Sequence, residues 1–112
     1  MVSVQIVRDH LSIRELACSG HAGFDDGNGF DLVCAAVSAL TGALGIGFTQ
    51  ILPGCADVEC GDGWFALRVK AHLSEVALGQ TEVLLQSIAL ALTEMGQHYP
   101  GFIECSDSRI AS

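Results

Sequence analysis

His21 and Cys34 are the two side chains in this sequence whose types and setting suit covalent chemistry. His21 stands in Gly20-His21-Ala22-Gly23, and Cys34 in Asp31-Leu32-Val33-Cys34-Ala35-Ala36-Val37-Ser38, so a glycine-rich loop leads from one into an apolar segment holding the other. A cysteine attacks a carbonyl carbon as its thiolate, and it needs a neighbour or a helix end that favours the anion. Asp31 has the side chain of a helix N-cap. A helix opening at Leu32 puts Cys34 in its first turn, where unpaired N–H groups and the helix dipole favour negative charge. The loop can fold back and offer His21 as proton acceptor. This is the pattern of a small cysteine peptidase.

Other readings of the same residues stay open at this level. A helix cysteine packs well as a small hydrophobe, and a loop histidine often only closes a turn. Asp31 as a cap competes with Asp31 as the group that orients His21, and the two roles are compatible. Cys55 and Cys60, joined by His21, Cys34 or Cys105, would make a tetrahedral set. However, the paired Cys-x-x-Cys or His-x-x-x-His spacing of a structural zinc site is missing, so neither metal nor cofactor is expected. Cys18, Cys55, Cys60 and Cys105 read as buried strand residues, and His10, His72 and His98 as surface ones. The glycines at 20, 23, 27 and 29 lack the strand-to-helix spacing of a phosphate cradle.

The elements that must position the pair follow from periodicity. Val2 to Arg8 alternates as a strand, and Ser12 to Cys18 returns from an Asp9-His10 turn to deliver the chain to Gly20. A helix runs from Leu32 to about Phe48, with Val33, Val37, Leu40 and Leu44 as its apolar stripe. Beside that lies a smaller stripe of Cys34, Ser38, Thr41 and Gly45. Gly42, Gly45 and Gly47 weaken its last turns unless something packs close against them. Pro53-Gly54 breaks the chain. Strands at Cys55 to Cys60 and Trp64 to Lys70 then join through Gly61-Asp62-Gly63. A second helix spans Gln80 to Gln97, or starts nearer Glu75, on a stripe of Leu84, Ile88, Leu92 and Met95. Phe102 to Cys105 adds a short last strand. The order strand-strand-helix-strand-strand-helix-strand predicts an α+β domain over residues 1–112, a mostly antiparallel sheet packed against two helices.

Composition narrows the partners. Thirteen acidic residues against five Lys/Arg give a formal charge of −8, which disfavours direct nucleic-acid binding and favours encounter with basic peptide segments. Five cysteines, an odd count, speak against a disulfide framework, and no secretory signal is visible, so a reducing cytoplasm is expected. Leu32 to Leu52 carries no charge and has the length of a bilayer span. Its Gly, Ala, Ser and Thr content and its lack of basic flanks predict a buried core or dimer-interface helix, with no membrane contact.

Gly20-His21-Ala22 followed across a short loop by Asp31-Leu32-Val33-Cys34-Ala35-Ala36-Val37-Ser38-Ala39-Leu40 resembles the Prp family, the bacterial ribosomal-processing cysteine proteases. The resemblance spans nearly the whole chain, including both hairpins and a second helix with Leu85-Gln86-Ser87 and Leu90-Ala91-Leu92. It implies a cysteine endopeptidase that removes an N-terminal extension from a large-subunit ribosomal protein. His21 matches the family's catalytic histidine and Cys34 its nucleophile, while Ser38 matches a family serine one turn on, in a supporting role. It further implies a homodimer and a mobile loop between the catalytic pair. The loop from Gly23 to Phe30, with Asp25-Asp26 and Asn28, departs in composition, which bears on substrate preference. The rival from another class is a non-catalytic, ribosome-associated homodimeric adaptor that uses the Leu32 to Leu52 helix as its interface and leaves Cys34 merely packed.

Overall fold

The computed structural model describes residues 1–24 and 27–110, so the Asp25-Asp26 pair of the divergent loop lies outside the described residues. Strands β1 (Val2–Asp9) and β2 (Ser12–Ser19) are followed by helix α1 (Leu32–Ile46), strands β3 (Ala56–Gly61) and β4 (Trp64–Val69), helix α2 (Glu75–His98) and strand β5 (Ile103–Arg109). The expected α+β order is what forms. The strands make one sheet in the order β3-β4-β2-β1-β5, antiparallel except for the β1–β5 pair, which is parallel.

Two crossovers build this sheet, β2-α1-β3 and β4-α2-β5. They leave from antiparallel strands in opposite directions along the sheet, so a common crossover hand brings both helices to one face. The alternating apolar residues of the strands meet them there: Val2, Val4 and Ile6 of β1, Leu16 and Cys18 of β2, and Phe65, Leu67 and Val69 of β4 are all buried.

The helices depart from the sequence reading in detail. On α1 the buried residues are Val33, Val37, Thr41 and Leu44, with Leu40 only partly covered. Thr41 can turn inward because its hydroxyl donates to the carbonyl oxygens of Val37 (3.1 Å) and Ser38 (3.3 Å), which removes the cost of burying it. The stripe of α2 is rotated by one residue, with Thr81, Leu85, Ala89 and Leu92 buried and Leu84, Ile88 and Met95 at its margin. The earlier of the two starts for α2 holds, since the Ser74 side chain caps the helix by accepting from Ala77 N–H. Helix α1 also runs past Phe48, continuing as a π-helical turn over Gly47–Ile51. A side chain at Gly47 would collide with Leu84 Cδ2 at 2.6 Å, so close packing against α2 accounts for that glycine, whereas Gly42 and Gly45 face open space.

Strand β5 is longer than expected because pairing with β1 runs the full seven residues from Val2↔Ile103 to Arg8↔Arg109. Arg8 Nε closes that edge on both carboxylate oxygens of Asp107, at 2.9 and 3.0 Å. Among the cysteines, Cys18 and Cys55 are buried as expected, although Cys55 precedes β3. Cys60 is exposed and Cys105 half-buried, because Cys60 lies at the end of the outermost strand.

The segment Leu32–Ile51 and helix α2 are each long and apolar enough to cross a membrane. In the fold each lays one side on the sheet and leaves the other outward, so burial in the core accounts for only one side of α1. Leu32 and Ile46 on α1, Ile51 beyond it, and Val83 and Leu90 on α2 face outward.

Candidate active site

The end of β2 carries the chain into Gly20 and then His21, while α1 begins eleven residues later at Leu32. Asp31 caps that helix: its Oδ1 accepts the Cys34 N–H at 2.9 Å, and its backbone carbonyl accepts the Ala35 N–H at 3.0 Å. Its second oxygen, Oδ2, accepts from the Gly23 N–H at 2.8 Å, which ties the histidine loop to the helix start. These amide donors, led by Cys34 and joined by Gly23 and Phe24, hold the Asp31 carboxyl below the ordinary carboxylate range, and the nearby His21 adds a smaller pull. Of the two compatible roles weighed for Asp31, the cap is seen directly. Toward His21 it acts through the Gly23 bond to the histidine's loop and through charge, with no hydrogen bond to the ring among the described residues.

The loop is anchored on either side of Gly23 as well. Ala22 is buried, and the Phe24 ring sits edge-on against Tyr99 (6.1 Å) and Phe102 (5.3 Å). With both its flanks tied, the loop brings His21 Nδ1 to 3.7 Å from Cys34 Sγ. The histidine is exposed and the cysteine half-buried.

Both line a groove of about 580 Å³ between α1 and the β3–β4 hairpin. The helix side is low, formed by Ser38, Thr41, Gly42 and Gly45, and the hairpin side is apolar, formed by Val58, Trp64 and Phe65. Among the described residues, Asp62 is the single acidic side chain on its lining. Ser38 lies in this groove one turn beyond Cys34, the place the sequence pattern gave it. A thiol and an imidazole in contact, beside an open and mostly uncharged channel, can attack the carbonyl of an extended chain and pass its proton to and fro. Among the described residues, no three His, Cys, Asp or Glu side chains gather as a metal set.

The family model described as Cysteine protease Prp matches residues 1–104. The chain belongs to the Prp cysteine protease family. Solved structures share its fold. One is the essential ribosomal processing protease Prp of S. aureus with a covalently linked product peptide, at 23% identity and TM-score 0.78, covering 96% of this chain and 99% of that one. The same S. aureus Prp with a substrate peptide gives 22% identity and TM-score 0.72, covering 96% and 99%. SMU.848 from Streptococcus mutans gives 23% and 0.74, covering 98% and 96%. A search among curated proteins gives no match. Membership of Prp makes the chain a cysteine peptidase, and the adaptor reading falls with it.

The hairpin wall of the groove was not visible in the sequence of this Prp member. Gly61-Asp62-Gly63 reads only as a turn, and nothing local says that it comes back to His21. Yet Gly20 N–H donates to the Gly63 carbonyl at 2.9 Å, and the Trp64 ring lies over Gly61.

Proposed function

We propose that this chain is a ribosomal-processing endopeptidase that removes the N-terminal extension of a large-subunit ribosomal protein, with Cys34 as nucleophile and His21 as general base and acid. The observation that carries the reading is the 3.7 Å approach of His21 Nδ1 to Cys34 Sγ inside the groove of a Prp-family chain. The S. aureus Prp structures, one with a substrate peptide and one with a covalently linked product peptide, support it.

The substrate lies extended in the groove. In the tautomer with its proton on Nε2, His21 accepts the thiol proton at Nδ1. The thiolate adds to the scissile carbonyl, and the resulting oxyanion is met by the positive end of α1. Cys34's own N–H is engaged by Asp31, so the donors left at that end are those of Leu32 and Val33, the first two amides of the helix. The tetrahedral species collapses as His21 returns the proton to the departing amine, which leaves a thioester on Cys34. Water, deprotonated by His21, then releases the acyl product and restores the thiol. Ser38 supports the substrate from the floor of the groove.

The enzyme works as a homodimer in the cytoplasm, without direct contact with nucleic acid or membrane. The outward apolar residues Ile46, Val83 and Leu90 support an interface, and the charge of −8 disfavours polyanions.

The test is incubation of the purified chain with the extended ribosomal protein of the same organism, followed by intact-mass measurement. Cleavage at one site is expected. Cys34→Ala should abolish it, and His21→Ala should lower kcat/KM by roughly 10²–10⁴. An uncut substrate, or full activity in either variant, rejects the assignment.

A further inference from the structure

We propose that Gly63, in the turn between β3 and β4, is the positioning residue for His21, setting the imidazole's distance from Cys34 by presenting a bare Cα to the ring's far edge. The proposal rests on the reading of His21 as the base.

The ring is bracketed at both of its nitrogens. Nδ1 faces Cys34 Sγ at 3.7 Å. On the opposite edge, a Cβ placed on Gly63 would lie 3.1 Å from His21 Nε2, 3.5 Å from Cε1 and 3.8 Å from Cδ2. Glycine therefore keeps clear the space beside the ring, and a side chain at 63 would enter it from the edge opposite the thiol. The turn is itself fixed to the histidine's strand, since the Gly20 N–H donates to the Gly63 carbonyl at 2.9 Å, one residue before His21. Gly63 has φ +78°, a conformation L side chains rarely adopt, so the chain there favours glycine on two independent grounds. A side chain would strain the turn and press the ring by a few tenths of an ångström, and the ring has little room for it with the thiol at its other edge. Gly63 reaches no reacting atom. It acts through His21.

The measurements are kcat and KM on the extended ribosomal protein, the rate of Cys34 alkylation by iodoacetamide in mildly acidic buffer, and thermal melts, made on Gly63→Ala, Gly63→Asn and Gly54→Ala. Asparagine tolerates positive φ, so Gly63→Asn tests the Cβ with less backbone strain. Gly54, with φ +83° and nothing within 4 Å of a Cβ, carries the same strain away from the site. Both Gly63 variants should lose about a hundredfold in kcat, with KM changed by less than about twofold, and should alkylate as slowly as His21→Ala. Gly54→Ala should retain wild-type kcat. On a His21→Ala background, Gly63→Ala should cause no further loss in either readout.

Wild-type kcat and alkylation in the Gly63 variants overturn the proposal, as does a loss equally deep on the His21→Ala background or in Gly54→Ala. If neither Gly63 variant folds, the wild-type protein decides: a nuclear Overhauser cross-peak between Gly63 Hα and His21 Hε1 is expected, and its absence overturns the placement. Wild-type cleavage by His21→Ala instead rejects the base assignment itself, so the two failures are told apart.

Discussion

Gly23 donates its N–H to Asp31 Oδ2 at 2.8 Å, across eight residues of chain, so the loop that carries His21 is fastened to the cap of the helix that carries Cys34. The other oxygen of the same carboxylate holds the Cys34 amide at 2.9 Å. One side chain thus fixes both halves of the proposed catalytic pair relative to each other.

Replacing Asp31 with Asn separates those two tasks. Asparagine caps helices about as well as aspartate, so the bond from Cys34 N–H survives. Its second polar atom is a donor and cannot accept from Gly23. The melting temperature at neutral pH should fall modestly, because the Gly23 bond and the carboxylate's contribution are lost, while kcat/KM falls on the order of tenfold through misplacement of His21. Unchanged kcat/KM, with circular-dichroism melts also unchanged, would show that the Gly23 tether is irrelevant to turnover.

Acid should loosen the same joint. Amide donors lower the Asp31 pKa in the fold, whereas an unperturbed aspartate titrates near about 3.9. A lowered folded value stabilises the native state fully above the unfolded pKa and loses that contribution as pH falls through the folded one. The wild-type melting temperature should therefore drop more steeply below about pH 4 than that of Asp31→Asn, which has no carboxylate to protonate. Parallel acid limbs in the two proteins would count against the cap as the responsible group.

At the alkaline end the relevant group is Cys18. Burial, with the neighbouring Cys105 adding to it, pushes its thiol up to about 12 from an ordinary 9.0. The fold thus favours the neutral thiol. That contribution is complete below the unfolded value and is lost between 9.0 and about 12 as the unfolded chain gains its thiolate. Replacing Cys18 with Ala should flatten this limb in urea melts, and thiol reagents at neutral pH should modify Cys18 only after unfolding. Labelling of native Cys18 as fast as that of the exposed Cys60 would contradict its burial.

Thr81 offers a gain in stability. Its side chain is fully buried on α2, and Oγ1 has no hydrogen-bond partner among the described residues. Thr81→Val keeps the shape and removes a desolvated hydroxyl, so it should raise stability by about 1 kcal/mol in denaturant melts. A loss of that size would mean the hydroxyl is bonded in solution.

Much of this was legible in local sequence. The Asp31 cap and the placement of Cys34 in the first turn follow from short-range rules, and both hairpins were marked by alternation and turn residues. What escaped depended on distant strands. The parallel β1–β5 pairing lengthens β5 beyond the hydrophobic stretch at its start, because Glu104 to Arg109 join a ladder for backbone reasons that their polar side chains do not advertise. The rotation of the α2 stripe places Thr81 and Ala89 inward, because small side chains there let the helix lie close to the sheet. The approach of Gly63 to His21 joins residues 42 positions apart by number, through a sheet order that periodicity does not encode.

Gly20 has a practical bearing on such measurements. A Cβ there would strike the Met1 carbonyl oxygen, and Val2 of β1 lines the groove, so the backbone leading into the first strand packs directly against the residue before His21. Any side chain at position 20 would push those two stretches apart and shift the histidine with them. Libraries that diversify this loop to retune substrate choice should hold position 20 fixed.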